Sequence, residues 1–150
     1  MIELASSVLL LLLSSALASG TEVALFSVPY GQVLHAVTEG RRGAEALKRI
    51  KDDMTRPIMA IVIVNNVANI GGTLVVGAVA ARVFASTYIG IFSAALTFLV
   101  IVFAEIIPKT VGERFAMGIA LRMAVPVRAA TRLMLPLIWT IEIVTRPFAG

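Results

Sequence analysis

The chain has 150 residues, of which 59% are hydrophobic and 15% charged, with a formal net charge of +4. A soluble domain carries about 45–50% apolar and about 25% charged residues, so both departures argue against a soluble enzyme. A mean hydropathy of +0.95 leaves too little polar surface for a basic, aromatic-bearing nucleic-acid face. Cysteine is absent, which removes disulfides and thiolate ligands, and His35 is the one histidine, which leaves neither a zinc site nor a Ser-His-Asp triad. What remains is an all-α integral membrane protein.

A spanning helix needs about 20 apolar residues. The first segment of that kind, residues 4–28, is interrupted only by Ser19-Gly20-Thr21-Glu22. Ala16-Leu17-Ala18 resembles a signal-peptide cleavage site, but Met1-Ile2-Glu3 carries an acid where a signal peptide is positive. The apolar run also resumes at Val23, so a retained span is expected. Residues 29–56 read as a solvated helical hairpin, with helices over 32–39 and 44–54 separated by Gly40-Arg41-Arg42-Gly43. Glu45, Lys48, Arg49 and Asp52 follow one another there at helical spacing, and His35 is a surface residue. The second span, residues 57–81, starts at Pro57, whose missing N–H is harmless in a first turn, and contains Asn65, Asn66 and Asn69. The third, residues 86–107, holds Glu105 near its end, with Pro108 just after it.

Beyond it, Arg122, Arg128 and Arg132 stand among apolar residues, and the apolar run 133–144 is short and broken by Pro136. That pattern predicts juxtamembrane, interfacial helices over about 112–146 rather than a fourth span. Basic residues crowd two regions, Arg41, Arg42, Lys48, Arg49, Lys51 and Arg56 in the hairpin and Lys109, Arg114, Arg122, Arg128, Arg132 and Arg146 after the third span. Arg82 alone lies between the second and third spans. The positive-inside rule then puts hairpin and C-terminus in the cytoplasm and the N-terminus outside, in a multi-pass protein of the plasma or inner membrane. No internal repeat or low-complexity linker divides the chain, so residues 1–150 read as a single transmembrane domain.

Polar groups within hydrocarbon are costly and need partners. At about 1.5 Å of rise per residue, Ser19 lies about 12 Å from the inner end of its span, Asn65 and Asn69 about 12–18 Å, and Glu105 about 6–9 Å. The three groups can therefore meet in the inner half of the bilayer. Asn65 and Asn69 share a helix face, while Asn66 is turned about 100° away. Gly20 is expected to open its helix and free carbonyls around Ser19, and Pro108 to leave the Ala104 carbonyl without a donor. Carboxylate, amide, hydroxyl and carbonyl oxygens suit a hard cation such as Mg²⁺, Ca²⁺ or Na⁺. The structural alternatives are interhelical hydrogen bonds from Ser19, Thr21 and the asparagines, close packing at Gly20, Gly71 and Gly72, and a Glu105–Lys109 pair. Glu22 is placed to reach the cytoplasmic interface.

Ser19-Gly20-Thr21-Glu22-Val23-Ala24-Leu25, Asn65-Asn66-Val67-Ala68-Asn69 and Glu105-Ile106-Ile107-Pro108-Lys109 resemble, in order and one per span, the signatures of the CorC / cyclin-M magnesium transporters. The resemblance covers the whole chain and is to the transmembrane domain. It implies a homodimer with three spans and a juxtamembrane belt per subunit, and Mg²⁺ export coupled to Na⁺ at one ion site per subunit. It also implies Ser19, Asn65, Asn69 and Glu105 as ligands, a backbone carbonyl from Gly20, and Thr21 keeping a hydroxyl where many relatives have Ser. The family's cytoplasmic CBS-type nucleotide-binding module, expected to follow, is missing from this chain. Small residues of the second and third spans (Gly71, Gly72, Ala78, Gly90, Ala94, Ala95) permit the close approach that a dimer contact needs. The competing expectation is a membrane-anchoring or regulatory domain whose polar cluster is structural and which transports nothing. Neither reading makes the chain an enzyme.

Overall fold

The computed structural model describes residues 1–145. Arg146, the last residue of the expected interfacial region, lies outside them. The described chain is helical throughout: α1 (Ile2–Ser27), α2 (Tyr30–Thr38), α3 (Ala44–Asp52), α4 (Thr55–Val83), α5 (Ser86–Arg114), α6 (Ala116–Leu133) and α7 (Leu135–Thr145). It is an all-α membrane protein in which α1, α4 and α5 are long and apolar enough to cross a bilayer. α7 has 11 residues, about 16 Å, against a hydrocarbon core about 30 Å thick. It folds back so that Glu142 pairs with Arg56 in the first turn of α4, Nε to Oε1 at 3.0 Å.

Lipid is as apolar as leucine, so packing rather than transfer from water holds such helices together. Two apolar clusters do this at opposite ends of the bundle. Leu4 and Leu11 of α1 meet Val76 and Ala80 of α4 and Leu96 of α5. At the other end Leu25 of α1, Val28 just after it and Ile61 of α4 join Val33, Leu47 and Ile50 of the hairpin and Ala120, Ala124 and Val127 of α6. α6 thus runs as a belt outside α1 and α4, its residues 123–127 lying beside Leu17–Thr21 and Ile61–Val64.

The hairpin turn is set by its glycines. Gly40, at φ +65°, closes α2: its N–H donates to the Val37 carbonyl and that of Arg41 to the Ala36 carbonyl, both at 3.0 Å. Gly43, at φ +83°, begins α3 where a Cβ would run into the Leu121 carbonyl of α6.

Two departures from the sequence expectations shape the bundle. α5 does not stop before Pro108; it continues through it to Arg114. Proline cannot donate and its ring crowds the carbonyl four residues back. A π-helical stretch over Val100–Ile106, immediately before it, widens the backbone and absorbs that conflict. Nor does Gly20 open α1, which is continuous from Ile2 to Ser27. The missing side chain is used for packing: a Cβ at Gly20 would meet the Pro108 carbonyl at 3.1 Å, and one at Gly112 would strike the Gly20 carbonyl. The two backbones touch here, which the loss of helical hydrogen bonds would not achieve.

Candidate cation site between the three long helices

Between the two apolar clusters the bundle is polar. Ser15 and Ser19, four residues apart on α1, are both fully buried. Facing them on α4 are Asn65 and Asn69, the latter at the midpoint of that helix. The Ser15 hydroxyl donates to Asn69 Oδ1 at 2.6 Å and lies 3.3 Å from Asn65 Oδ1. A hydroxyl has one proton, so the shorter contact takes it. Asn65 Oδ1 is then served by Ser19, also at 3.3 Å. Asn69 Nδ2 in turn donates to Glu105 Oε1 of α5 at 3.4 Å. One carboxylate, two amides and two hydroxyls from three helices are thus gathered into one cluster of two hydrogen-bonded groups, Ser19–Asn65 and Ser15–Asn69–Glu105, and no buried side-chain polar atom among the described residues lacks a partner.

Both α4 and α5 leave regular α geometry at this level. Asn69 lies in a π-helical turn over Val67–Gly71 and Glu105 in the one over Val100–Ile106. Such wide turns cluster at functional sites because they displace backbone and re-aim the side chains that follow. The sequence carried no periodicity signal for them.

The other candidates are not gathered in. Thr21 is buried, but its hydroxyl donates to the Leu17 carbonyl at 2.6 Å and it lines the apolar cavity under α6. Gly20 is at the contact with α5 described above. Asn66 is exposed and donates back to the Val62 carbonyl at 2.9 Å, on the face expected for it. Glu22 is half-buried, and Lys109 is exposed. The ion pairs among the described residues are His35–Glu39, Lys48–Asp52 and Arg56–Glu142, so Lys109 does not neutralise Glu105. Gly72 is engaged within the subunit, against Leu11, whereas a Cβ at Gly71 or Gly90 would meet nothing.

One residue of the cluster, Ser15, was overlooked in the sequence. The signal was there: Ser15 and Ser19 have the same i,i+4 spacing as Asn65 and Asn69. The Arg56–Glu142 pair was also missed, its members being 86 residues apart.

Outside the spans, Tyr30 Oη donates to Asp52 Oδ1 at 2.6 Å and Lys48 Nζ to Oδ2 at 2.9 Å. The Tyr30 hydrogen bond, then that of Lys48, holds the Asp52 carboxyl below its usual range. The triad ties the start of α2 to the end of α3, closing the hairpin beside the bundle.

The model of the cyclin M transmembrane N-terminal domain family, CNNM, matches residues 6–150. The chain is 45% identical over 148 residues to the UPF0053 protein sll1254 of Synechocystis sp., covering 99% of this chain and 43% of that protein. It is 29% identical over 132 residues to the UPF0053 inner membrane protein YfjD of Escherichia coli, covering 88% and 31%. A UPF0053 protein of Haemophilus influenzae is 27% identical over 135 residues, covering 90% and 32%. The chain therefore spans less than half the length of these curated relatives. A family match over nearly its whole length, on a bundle of three long apolar helices, establishes that this chain belongs to the CNNM family, of which it is the transmembrane N-terminal domain.

Proposed function

We propose that this chain is the membrane pathway of a Mg²⁺ transporter and that Ser15, Ser19, Asn65, Asn69 and Glu105 supply oxygens to the passing ion. The observation that carries this reading is the placement of Glu105. Its carboxylate is half-buried between the long helices and hydrogen-bonded to a neutral amide, and among the described residues it is paired with no Lys or Arg. A carboxylate so placed lacks a counter-charge, and a cation supplies one.

The spacing of the neutral oxygens supports the same ion. Octahedral Mg²⁺ ligands at 2.0–2.1 Å stand about 2.9 Å from their neighbours. The three hydrogen-bonded oxygen pairs, Ser15–Asn69, Ser15–Asn65 and Ser19–Asn65, are 2.6, 3.3 and 3.3 Å apart. An ion entering here would turn the two hydroxyl protons outward and use lone pairs now occupied by hydrogen bonds. In this reading Gly20 seats α5 against α1, and Thr21, bonded to its own helix, supplies no oxygen to the ion. The full proposal is Mg²⁺ efflux coupled to Na⁺, in a homodimer with the hairpin and α6 on the cytoplasmic side and the N-terminus outside. Charge placement supports that orientation.

Mg²⁺ flux in proteoliposomes, with and without an opposing Na⁺ gradient, tests it. The expected result is flux above protein-free liposomes that accelerates with the gradient. Mg²⁺ binding without flux would instead favour an anchoring or regulatory domain.

A further inference from the structure

Three arginines that the cation pathway does not use converge at one place. Arg41 and Arg42 lie in the turn between α2 and α3, and Arg122 comes from α6. With Gly118 and Leu121 they line a cavity of about 420 Å³, and among the described residues no carboxylate lines it. Among the described residues none of the three forms an ion pair. The nearest acid in sequence, Glu39, is engaged by His35 at 3.2 Å.

The backbones that carry these three exposed arginines are held together. Arg41 has its backbone fixed by the closure of α2 on Ala36, and Gly43 seats the turn directly against the Leu121 carbonyl, next to Arg122. Holding three guanidinium groups around one space without a counter-charge is repulsive, so the arrangement calls for an anion. Planar guanidinium forks match the oxygens of a phosphate.

The level of the cavity identifies the source. Gly118 also lines the cavity beside Ser27, Val28 and Pro29, at the end of the spanning helix α1. The arginines are thus level with the end of a span, where headgroups lie. Phe115, just before α6, and Val125 on it are 58% and 60% exposed, apolar surface suited to acyl chains rather than to a free ion.

We propose that Arg41, Arg42 and Arg122 bind the phosphate of an anionic phospholipid headgroup, which pins the α2–α3 turn to α6. The site is independent of the cation pathway and stands or falls separately. Native mass spectrometry of the purified chain, titrated with phosphatidylglycerol or phosphatidylcholine, tests it. Each arginine removed should weaken the retention of phosphatidylglycerol about fivefold. Arg42→Gln with Arg122→Gln should therefore abolish most of the preference over phosphatidylcholine, and Arg42→Lys with Arg122→Lys should keep part of it. Arg128→Gln with Arg132→Gln removes the same charge outside the cavity and should leave the preference intact. Equal losses in the two glutamine pairs would overturn the proposal in favour of diffuse attraction. Displacement of the bound lipid by millimolar inorganic phosphate would overturn the lipid as the ligand.

Discussion

α1 and the pair α4–α5 are alike in length and hydropathy but differ in construction. In α1, 44% of the most apolar 18-residue window is buried and the helix is regular from end to end; in α4 and α5 that share is 11% each, and each is interrupted by a π turn. The buried, regular helix contributes neutral hydroxyls and the glycine notch on which α5 rests. The peripheral, irregular helices contribute the amides and the carboxylate. Irregular backbone is tolerated at membrane depth only where protein or a cavity covers it, and both wide turns pack against α1, that of α4 bonding Ser15 through Asn69 and that of α5 joining the cluster through Glu105. A regular, well-packed wall thus lets its neighbours present polar side chains from turns already relaxed out of the α ladder.

The largest test of that division is Glu105→Gln. It keeps the shape and the bond to Asn69 but removes the only charge in the cluster. Mg²⁺ dehydrates reluctantly and the neutral oxygens alone should not compensate, so binding by titration calorimetry and flux should fall to background. The melting temperature should barely move. A drop in melting temperature with unchanged Mg²⁺ affinity would make the cluster structural and erase the functional contrast between the helices.

The glycine notch comes next. Gly112→Ala drives a Cβ into the Gly20 carbonyl, which is backbone and cannot step aside, so thermal unfolding should show a loss of about 1–3 kcal/mol. Gly72→Ala meets mainly the flexible end of Leu11 and should cost less, whereas Gly77→Ala meets nothing. There the gain in helix propensity, up to about 1 kcal/mol, should stabilise. A common response at all three would remove the distinction between the packed α1 contact and the outer faces.

Ser15→Ala sharpens the comparison from the buried side. It removes the hydroxyl that serves Asn69 and should weaken Mg²⁺ binding about fivefold, the value of one hydrogen bond. Asn66→Ala, beside the cluster in sequence but turned away from it, should leave the affinity unchanged.

The smallest effect belongs to the exposed hairpin. Tyr30→Phe removes the main cause of the depressed Asp52 pKa, so an NMR titration should show the carboxyl returning toward its ordinary range. The sign follows: a depressed carboxylate stabilises above its unfolded pKa, near 4, and that contribution is lost as pH falls through the folded value. The variant should therefore lose less on acidification than the parent.

Much was decided by the chain alone. Three apolar runs of sufficient length can only be long helices, since in lipid every backbone group must bond within its own segment. The i,i+4 spacing put Asn65 and Asn69 on one face and turned Asn66 away, because that is the geometry of any helix. Tertiary structure decided what depends on a neighbour. Pro108 reads as a terminator until a wide turn before it, covered by α1, makes continuation tolerable. Gly20 reads as a break until Gly112 and Pro108 are found against it, when close packing outweighs the flexibility of glycine. Ser15 is one hydroxyl among several in α1, and only the asparagines opposite distinguish it from Ser14, which donates to its own helix at Leu10. The joining of Arg122 to Arg41 and Arg42, and of Glu142 to Arg56, rests on the path of α6 and α7 around the bundle. Local periodicity carries no record of that path, because it is set by contacts between residues far apart in the chain.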